Sequence, residues 1–235
     1  MIWIGYIVIV FLVLLFSVSL ANLISKPVLS PIQPVTAPLV SILIPARNEA
    51  KNIATLLQTI INQKYQDIEI IVCDDQSEDE TVTIVSDMIK TDKRIRIIHT
   101  AALPDGWLGK NHACYLLANE AKGEYLCFLD ADVSLQPKFI NSVIAYMQHR
   151  SLSLLSLFPE QKMLSVGEKL TVPIMFRVLL SLLPLRLVQT RLFASLQSLL
   201  CLYYCSINTI CPWYLFSSFY FVILVLIQLI QRLNI

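Results

Sequence analysis

The sequence predicts an α/β domain with a mostly parallel sheet and flanking helices, joined to transmembrane helices at its N-terminal and C-terminal ends. Hydrophobic residues make up 56% of the 235 residues, and charged residues only 15%. The mean hydropathy of +0.65 is too high for an ordinary soluble domain and indicates membrane segments attached to a globular part. Between residues 39 and 158, short β-branched runs alternate with helical periodicity, which is typical of a parallel sheet covered by helices.

The first element is an uncharged stretch over residues 2–24, long enough for a membrane helix, which needs about 20 apolar residues. No Lys or Arg precedes it, whereas a cleaved signal peptide would begin with a basic region. The first positive side chains, Lys26, Arg47 and Lys51, follow it. The positive-inside rule therefore places the next domain in the cytoplasm, and we expect an uncleaved transmembrane anchor over 1–25.

A linker and the globular domain follow the anchor. Four prolines between residues 27 and 38 predict an extended spacer over 26–38, because proline fixes φ and lacks a backbone donor. The globular domain is predicted over 39–165. We expect its strands at 39–45, 67–75, 94–100, 124–131 and 152–158, and its helices at 48–63, 79–90, 109–123 and 137–150.

Four local signals set the helix boundaries in this prediction. Asn48 has the residue type of a helix N-cap. Ser77 and Glu80 have the spacing of a capping box before the second helix of the domain. Gly123 is a helix-ending residue type, and Pro137 suits a first helical turn.

The C-terminal third changes character. No Asp or Glu occurs after Glu168, and residues 192–231 carry no charge. This hydrophobic segment is long enough for two membrane passes with a turn near residues 208–212, and one pass with a re-entrant piece is the alternative. The preceding segment 166–191 places arginines among leucines, which suits an amphipathic helix at the membrane surface or an ordinary core helix.

Three acidic or polar stretches come at the ends of predicted strands: "PARNE" (45–49), "CDDQSED" (73–79) and "DADV" (130–133). In parallel sheets, ligands bind outside the carboxyl ends of the strands. Asp130 and Asp132 are separated by one residue and can face a common point. Their oxygens suit Mg²⁺ or Mn²⁺, which usually bind through one or two carboxylates and substrate phosphates. Helix starts at Glu49 and Gly109 offer backbone donors to phosphates.

These stretches resemble a known family. "SILIPARNEAKNI", "IEIIVCDDQSEDET" and "YLCFLDADV", in this order and spacing, are similar to the nucleotide-sugar half of family-2 glycosyltransferases, which have a GT-A fold. The resemblance covers about residues 39–160. "LPDGWLGKNHAC" further resembles membrane-bound members associated with hopanoid and carotenoid glycosylation, in which a Gly-Trp-x-Gly-Lys element precedes the Asp-x-Asp.

The resemblance implies a role for each matching position. The residues from Pro45 to Glu49 would line the nucleotide pocket, with Ala46 and Arg47 near the base. Asp75, or its neighbour Asp74, would accept a hydrogen bond from the base. The remaining roles concern the phosphates, the sugar and the metal: Lys110 would lie by the phosphates, Asp130 would approach the ribose or sugar and contribute to the metal site, and Asp132 would bind the metal.

Each of these residues has a plainer interpretation. Arg47 could be a solvated charge at a helix start, and Asp74 with Asp75 could simply precede a capping box. Trp107 could stack on a base or sugar or could anchor its loop. His112 could bind a metal, although a packing role is the commoner one for such a histidine.

The implied function is that of a membrane-anchored glycosyltransferase. It would use a nucleotide-diphosphate sugar and Mg²⁺ or Mn²⁺ to glycosylate a lipid-like acceptor, such as a polyisoprenoid in the membrane bilayer. The cell membrane would hold it as a multi-pass or N-terminally anchored protein with its globular domain in the cytoplasm. The net charge of +1 gives no electrostatic case for nucleic acid as a partner.

The sequence contains no residue that fits the general base of an inverting sugar transfer, which is usually Asp or Glu. In the family this acid comes far downstream of the Asp-x-Asp, and many members add a Gln-x-x-Arg-Trp element. Neither feature is present here, so the catalytic residues are not predicted. A truncated or frame-shifted relative, a base from another chain and a donor-binding pseudoenzyme are the alternatives. A phosphoacceptor receiver domain is the alternative from another class, although receivers have their acid pair after the first strand.

Overall fold

The computed structural model describes residues 2–25, 33–101, 103–157, 160, 162–163, 165–182 and 224–228. The described elements belong to two units, an α/β unit and a second unit containing the first and last helices. In chain order the elements are α1 (Ile2–Ser25), β1 (Val40–Ala46), α2 (Ile53–Ile61), β2 (Ile68–Asp74), α3 (Thr81–Thr91), β3 (Ile95–His99), α4 (Gly109–Glu120), β4 (Tyr125–Phe128), α5 (Phe139–Arg150), β5 (Leu154–Leu157), α6 (Val166–Leu182) and β6 (Leu224–Gln228).

The α/β unit contains one sheet with the strand order β3-β2-β1-β4-β6-β5. The first four strands in this order, β3, β2, β1 and β4, are parallel to one another, and β6 is antiparallel to both β4 and β5. Strand β5 therefore runs in the same direction as β1 to β4. The predicted mostly parallel sheet is confirmed.

Helices cover both faces of this sheet. Successive side chains of a strand point to opposite faces, and β1 shows this directly, since Ile42 and Ile44 pack in the larger core cluster and Leu43 in the smaller one. Helices α2, α3 and α5 pack in the larger cluster, and α4 packs in the smaller one through Ala113 and Leu117. Burial on both faces explains why β1 and β2 are nearly continuous apolar runs.

Local signals placed three boundaries incorrectly. Asn48 does not cap α2, which begins at Ile53 after Asn52. Ser77 and Glu80 form no capping box, because α3 begins at Thr81 without a side-chain cap. Helix α4 ends at Glu120, before Gly123. In each case the polar or small residue is engaged with a different segment of the chain, and these tertiary contacts override the local preference.

The structure describes parts of two further predicted segments, the linker and the C-terminal hydrophobic segment. The described end of the linker is hydrogen-bonded to α5. The Gln148 side chain accepts from the Val35 N–H at 2.8 Å and donates to the Thr36 backbone oxygen at 3.1 Å. Leu224–Gln228, predicted as part of a membrane segment, form β6 in the sheet. The rest of 192–231 and residues 26–32 lie outside the described residues, so the predictions for them stay predictions.

The second unit contains α1 and α6, which pack against each other. Within α1, Trp3–Ile24 form 22 residues of mean hydropathy 2.9, and among the described residues this is the one helix long and apolar enough to cross a membrane. Helix α6 contains Pro173. The amphipathic or interfacial character predicted for 166–191 stays a prediction, since residues 183–191 lie outside the described part of the chain.

Candidate nucleotide-sugar site

The carboxyl ends of β1, β2 and β4 bring the three motifs to one edge of the sheet, called here the carboxyl edge. Ala46 is in register with Asp74, and the Asp75 N–H donates to the Ala46 oxygen at 2.9 Å. Next to β1 on its other side, the Leu129 N–H donates to the Leu43 oxygen at 2.9 Å, and Asp130 follows. The register of parallel strands therefore places "PARNE", "CDDQSED" and "DADV" side by side, as the sequence predicts.

Arg47 and Asp75 form the first charged pair of this edge. Their closest side-chain atoms, Arg47 Nη1 and Asp75 Oδ2, lie 3.8 Å apart, and the Arg47 side chain is 60% exposed. The Thr100 hydroxyl, directly after β3, donates to Asp75 Oδ1 at 2.9 Å. An exposed guanidinium beside a fixed carboxylate offers both a donor and an acceptor to a polar ligand such as a nucleotide base.

Asp74 and Asp75 have different environments. Asp74 is buried and accepts from the Ser77 N–H at 3.3 Å, and His99 Nδ1 lies 3.4 Å from its other oxygen. These contacts hold Asp74 within the loop after β2. Asp75 is the one beside Arg47, so the geometry favours Asp75 as the acid available to a ligand.

The start of α4 lies directly against Asp75. A Cβ added at Gly109 would come within 2.7 Å of Asp75 Oδ2, so a larger residue here would require the Asp75 carboxylate to shift. The next residue, Lys110, donates from Nζ to Asp130 Oδ1 at 2.7 Å. Helix α4 thus links the acids that follow β2 and β4, and it brings a helix N-terminus to the carboxyl edge, where backbone N–H groups favour anions.

Asp132 is the least satisfied acid of the edge. Its buried Oδ1 has no hydrogen-bond partner among the described residues. Burial, followed by the negative charge of Asp130, raises the pKa of Asp132 above its ordinary value, with a smaller contribution from Glu49. A buried carboxylate oxygen without a partner is costly, and a cation would offset that cost.

Asp130 and Asp132 fit a divalent cation that shares its coordination with phosphates. Among the described residues, no group of three or more His, Cys, Asp or Glu is arranged to hold a metal ion. Mg²⁺ commonly uses only one or two carboxylates plus substrate phosphates, so a complete protein cage is not required. The partnerless oxygen of Asp132 is the specific feature that suits such an ion.

The remaining predicted pocket residues divide into core and loop positions. Ala46 is 3% exposed, and its side chain packs in the larger core cluster, so only its backbone could line the pocket. Pro45, the preceding residue, is half-buried. The Glu49 N–H donates to Thr81 Oγ1 at 2.9 Å, and its carboxylate accepts from Asn52 at 2.9 Å.

Three rings pack together near the start of α4, those of Trp107, His112 and Tyr115. The Trp107 ring lies 5.5 Å from the His112 ring in an edge arrangement and 5.2 Å from the Tyr115 ring. His112 is buried, and its Nδ1 has no hydrogen-bond partner among the described residues. Trp107 contacts both rings of the helix, His112 and Tyr115, and the roles of His112 and Trp107 stay predictions. The contacts of Thr100 and Gly109 with Asp75 were not predicted from the sequence. The position of Thr100 at the carboxyl end of the predicted strand 94–100 was the available signal.

The sequence profile of glycosyl transferase family 2 matches residues 41–176, which is more than half of the chain. The chain belongs to glycosyl transferase family 2. This assignment agrees with the resemblance of the three motifs and removes the basis of the receiver-domain alternative.

Two glycosyltransferases are each similar to about half of the chain. A 4,4'-diaponeurosporenoate glycosyltransferase of Staphylococcus haemolyticus is 34% identical over 124 residues, which are 51% of this chain and 32% of the relative. An uncharacterized glycosyltransferase of Haemophilus influenzae is 33% identical over 111 residues, or 47% of this chain and 33% of the relative. The matched part thus spans about a third of the length of these relatives.

A solved structure shares the fold of the family-2 domain. It is a mannosyltransferase from Pyrobaculum calidifontis in complex with GDP-Man and Mn²⁺, with a TM-score of 0.53 and 21% sequence identity, covering 65% of this chain and 46% of that protein. The expected GT-A-like fold is confirmed.

Proposed function

We propose that the family-2 domain binds a nucleotide-diphosphate sugar together with Mg²⁺ or Mn²⁺ at the carboxyl edge and belongs to a glycosyltransferase. The base would lie near Arg47 and Asp75, and the diphosphate near Lys110 and the start of α4. Asp130 and Asp132 would hold the metal. The observation that carries the proposal is the convergence of these groups around the partnerless Asp132 oxygen in a family-2 domain.

The charges at this edge suit a metal-bound diphosphate better than a free anion. Asp75, Asp130 and Asp132 would repel phosphates, whereas Arg47 and Lys110 would attract them. A divalent ion held by Asp130 and Asp132 would offset this repulsion, and when bound it would stabilise negative charge that develops on the leaving diphosphate. The Mn²⁺ and GDP-Man in the Pyrobaculum mannosyltransferase support the same pairing of ligands here.

For the acceptor, we infer a membrane lipid such as a polyisoprenoid. Two observations support this class: α1 has the length and hydropathy of a membrane anchor, and the Staphylococcus relative is named a 4,4'-diaponeurosporenoate glycosyltransferase. The protein would act at the cell membrane with its globular domain in the cytoplasm. Multi-pass insertion through the part of 192–231 that precedes β6 belongs to the same proposal.

Donor binding without turnover is the second candidate. Residues 169–235 contain no Asp or Glu, so this segment does not itself supply the carboxylate base that sugar transfer usually uses for the acceptor hydroxyl. A base supplied by another chain would restore activity. Incubation with labelled nucleotide sugars and membrane lipids separates the two candidates, since transfer of label to lipid supports the transferase and binding without transfer supports the pseudoenzyme.

The binding proposal is tested by calorimetry on the full-length chain in detergent micelles, titrated with UDP or GDP with and without Mn²⁺. We expect saturable binding that requires the ion and that Asp132→Asn weakens at least about tenfold, since it removes a charged ligand. Asp87→Asn is the matched control, because Asp87 is an exposed acid paired with Lys90 on α3. Equal affinity of Asp132→Asn and the unsubstituted chain would contradict the metal assignment.

A further inference from the structure

Two loops carry the candidate base-binding residues, and reciprocal hydrogen bonds join them. The loop after β1 contains Arg47, and the loop after β2 contains Asp75. The Asn48 N–H donates to Ser77 Oγ at 3.0 Å, and the Glu78 N–H donates in return to Asn48 Oδ1 at 2.8 Å. Asn48 therefore uses both its backbone and its side chain to hold the second loop.

The next two residues continue this contact. The Glu49 N–H donates to Thr81 Oγ1 at 2.9 Å, and the Ala50 N–H donates to Asp79 Oδ2 at 3.0 Å. Three successive backbone donors of the first loop thus bond to side chains of the segment 77–81, in which Asp79 Oδ1 also accepts the Thr81 N–H at 3.0 Å. These bonds replace the helix caps that the sequence predicts at Asn48 and Ser77.

The backbone at the centre of this contact has an uncommon conformation. Asn48 has φ of 56°, and Gln76 in the facing loop has φ of 57°. Asn tolerates the left-handed region better than most residues other than glycine. Strained loop conformations persist where surrounding bonds impose them, and they cluster at binding sites.

We propose that Asn48 is a positioning residue for the nucleotide base, acting through the alignment of Arg47 with Asp75. Arg47 directly precedes Asn48, and Asp75 lies two residues before Ser77, so the reciprocal bonds fix the two sides of the base pocket relative to each other. The proposal rests on the proposed nucleotide binding. Its consequence is a pocket that is ordered before the ligand arrives, which reduces the entropy cost of binding.

The test measures Mn²⁺-dependent binding of UDP and of GDP by calorimetry, with the full-length chain in detergent micelles. Asn48→Gly retains the freedom to adopt positive φ and removes the acceptor of the Glu78 N–H. We expect it to weaken binding of the recognised nucleotide about 3- to 10-fold, as for the loss of one hydrogen bond. A second pair varies Thr81 without changing charge: Thr81→Val should weaken binding similarly, and Thr81→Ser, which keeps the hydroxyl, should restore it.

Gln148→Ala is the matched control. The Gln148 side-chain oxygen also accepts backbone N–H groups, those of Val35 and Thr36, but these residues precede β1 and do not belong to the two loops of the proposed base pocket. It should leave nucleotide affinity within twofold. Unchanged affinity in Asn48→Gly would overturn the positioning role even if Thr81→Val fails to fold. An unsubstituted chain that binds neither nucleotide would instead overturn the proposed function, and with it this inference.

Discussion

Glu69 and Asp132 are partly buried acids at opposite edges of the same sheet, and their surroundings differ in kind. Glu69, near the start of β2, accepts from the Ser41 hydroxyl at 2.5 Å, from the Lys122 N–H at 2.6 Å and from the Gly123 N–H at 3.1 Å. Arg96 lies 3.5 Å away. Asp132, at the carboxyl edge, keeps a buried oxygen without a partner among the described residues.

The pKa values of the two acids move in opposite directions for this reason. Burial alone would raise the pKa of Glu69, but its hydrogen bonds and Arg96 together lower it below its ordinary value. Burial and the charge of Asp130 raise the pKa of Asp132. An acid with saturated acceptors stabilises the fold and has little capacity for a ligand, whereas an unsaturated one costs stability and can bind a cation.

The largest effect we expect concerns Gly123, which makes the Glu69 cluster possible. A Cβ at this position would lie 2.5 Å from Ser41 Oγ and 2.6 Å from the Ser41 backbone nitrogen. Gly123→Ala should therefore lower the free energy of unfolding by about 2–4 kcal/mol, as overpacking against backbone does. Urea denaturation measures this change, with the exposed neighbour Glu124→Ala as control. A loss below about 0.5 kcal/mol would show that the strand edge can open.

Removal of the Glu69 charge should have the next largest effect. Glu69→Gln can keep Oε1, which accepts from Ser41, Lys122 and Gly123, but it weakens these bonds by removing the charge and sets an amide N–H₂ in the place of Oε2, against the Arg96 guanidinium. We expect a loss of about 1.5–3 kcal/mol in the free energy of unfolding, the range for hydrogen bonds to a charged group. Glu120→Gln is the matched control, because Glu120 pairs with the same Arg96 but is 56% exposed, and exposed pairs contribute less than about 1 kcal/mol.

A smaller effect is the pH dependence that distinguishes the two acids. The lowered pKa of Glu69 gives stability that is present above the unfolded value of about 4.3 and is lost as pH falls through the folded value. The raised pKa of Asp132 has the opposite sign: its destabilising charge is present at high pH and is relieved as pH falls through the folded value. Glu69→Gln should flatten the acid loss of stability in urea titrations, and Asp132→Asn should steepen it. Equal profiles for both variants would contradict the comparison.

The sequence predicts the sheet and the clustering of the site because both depend on patterns within single segments. Short apolar runs that alternate with helical segments identify β1 to β5, and polar residues at the ends of these runs identify the carboxyl edge. The Glu69 cluster depends on the register that sets Ser41 against Glu69 and on the approach of Gly123, which no single segment reveals. Asn48 and Ser77 have cap-type residues locally, but their bonds form between loops 29 residues apart.

Strand β6 shows a different limit of sequence analysis. Leu224–Gln228 lie within the uncharged run 192–231. A central strand with apolar residues has the same hydropathy as a piece of a membrane segment. Only the pairing with β4 and β5 identifies it.

We infer that the Glu69 cluster, near the start of β2, stabilises the fold, and that the carboxyl edge with Asp132 binds the nucleotide-metal ligand. The most direct test measures unfolding free energy and Mn²⁺-dependent UDP or GDP affinity in Asp132→Asn and Glu69→Gln, side by side. Asp132→Asn should keep or increase stability, by up to about 1 kcal/mol, and lose at least about tenfold in affinity. Glu69→Gln should lose stability and keep its affinity within twofold. Loss of stability without loss of affinity in Asp132→Asn would contradict the account.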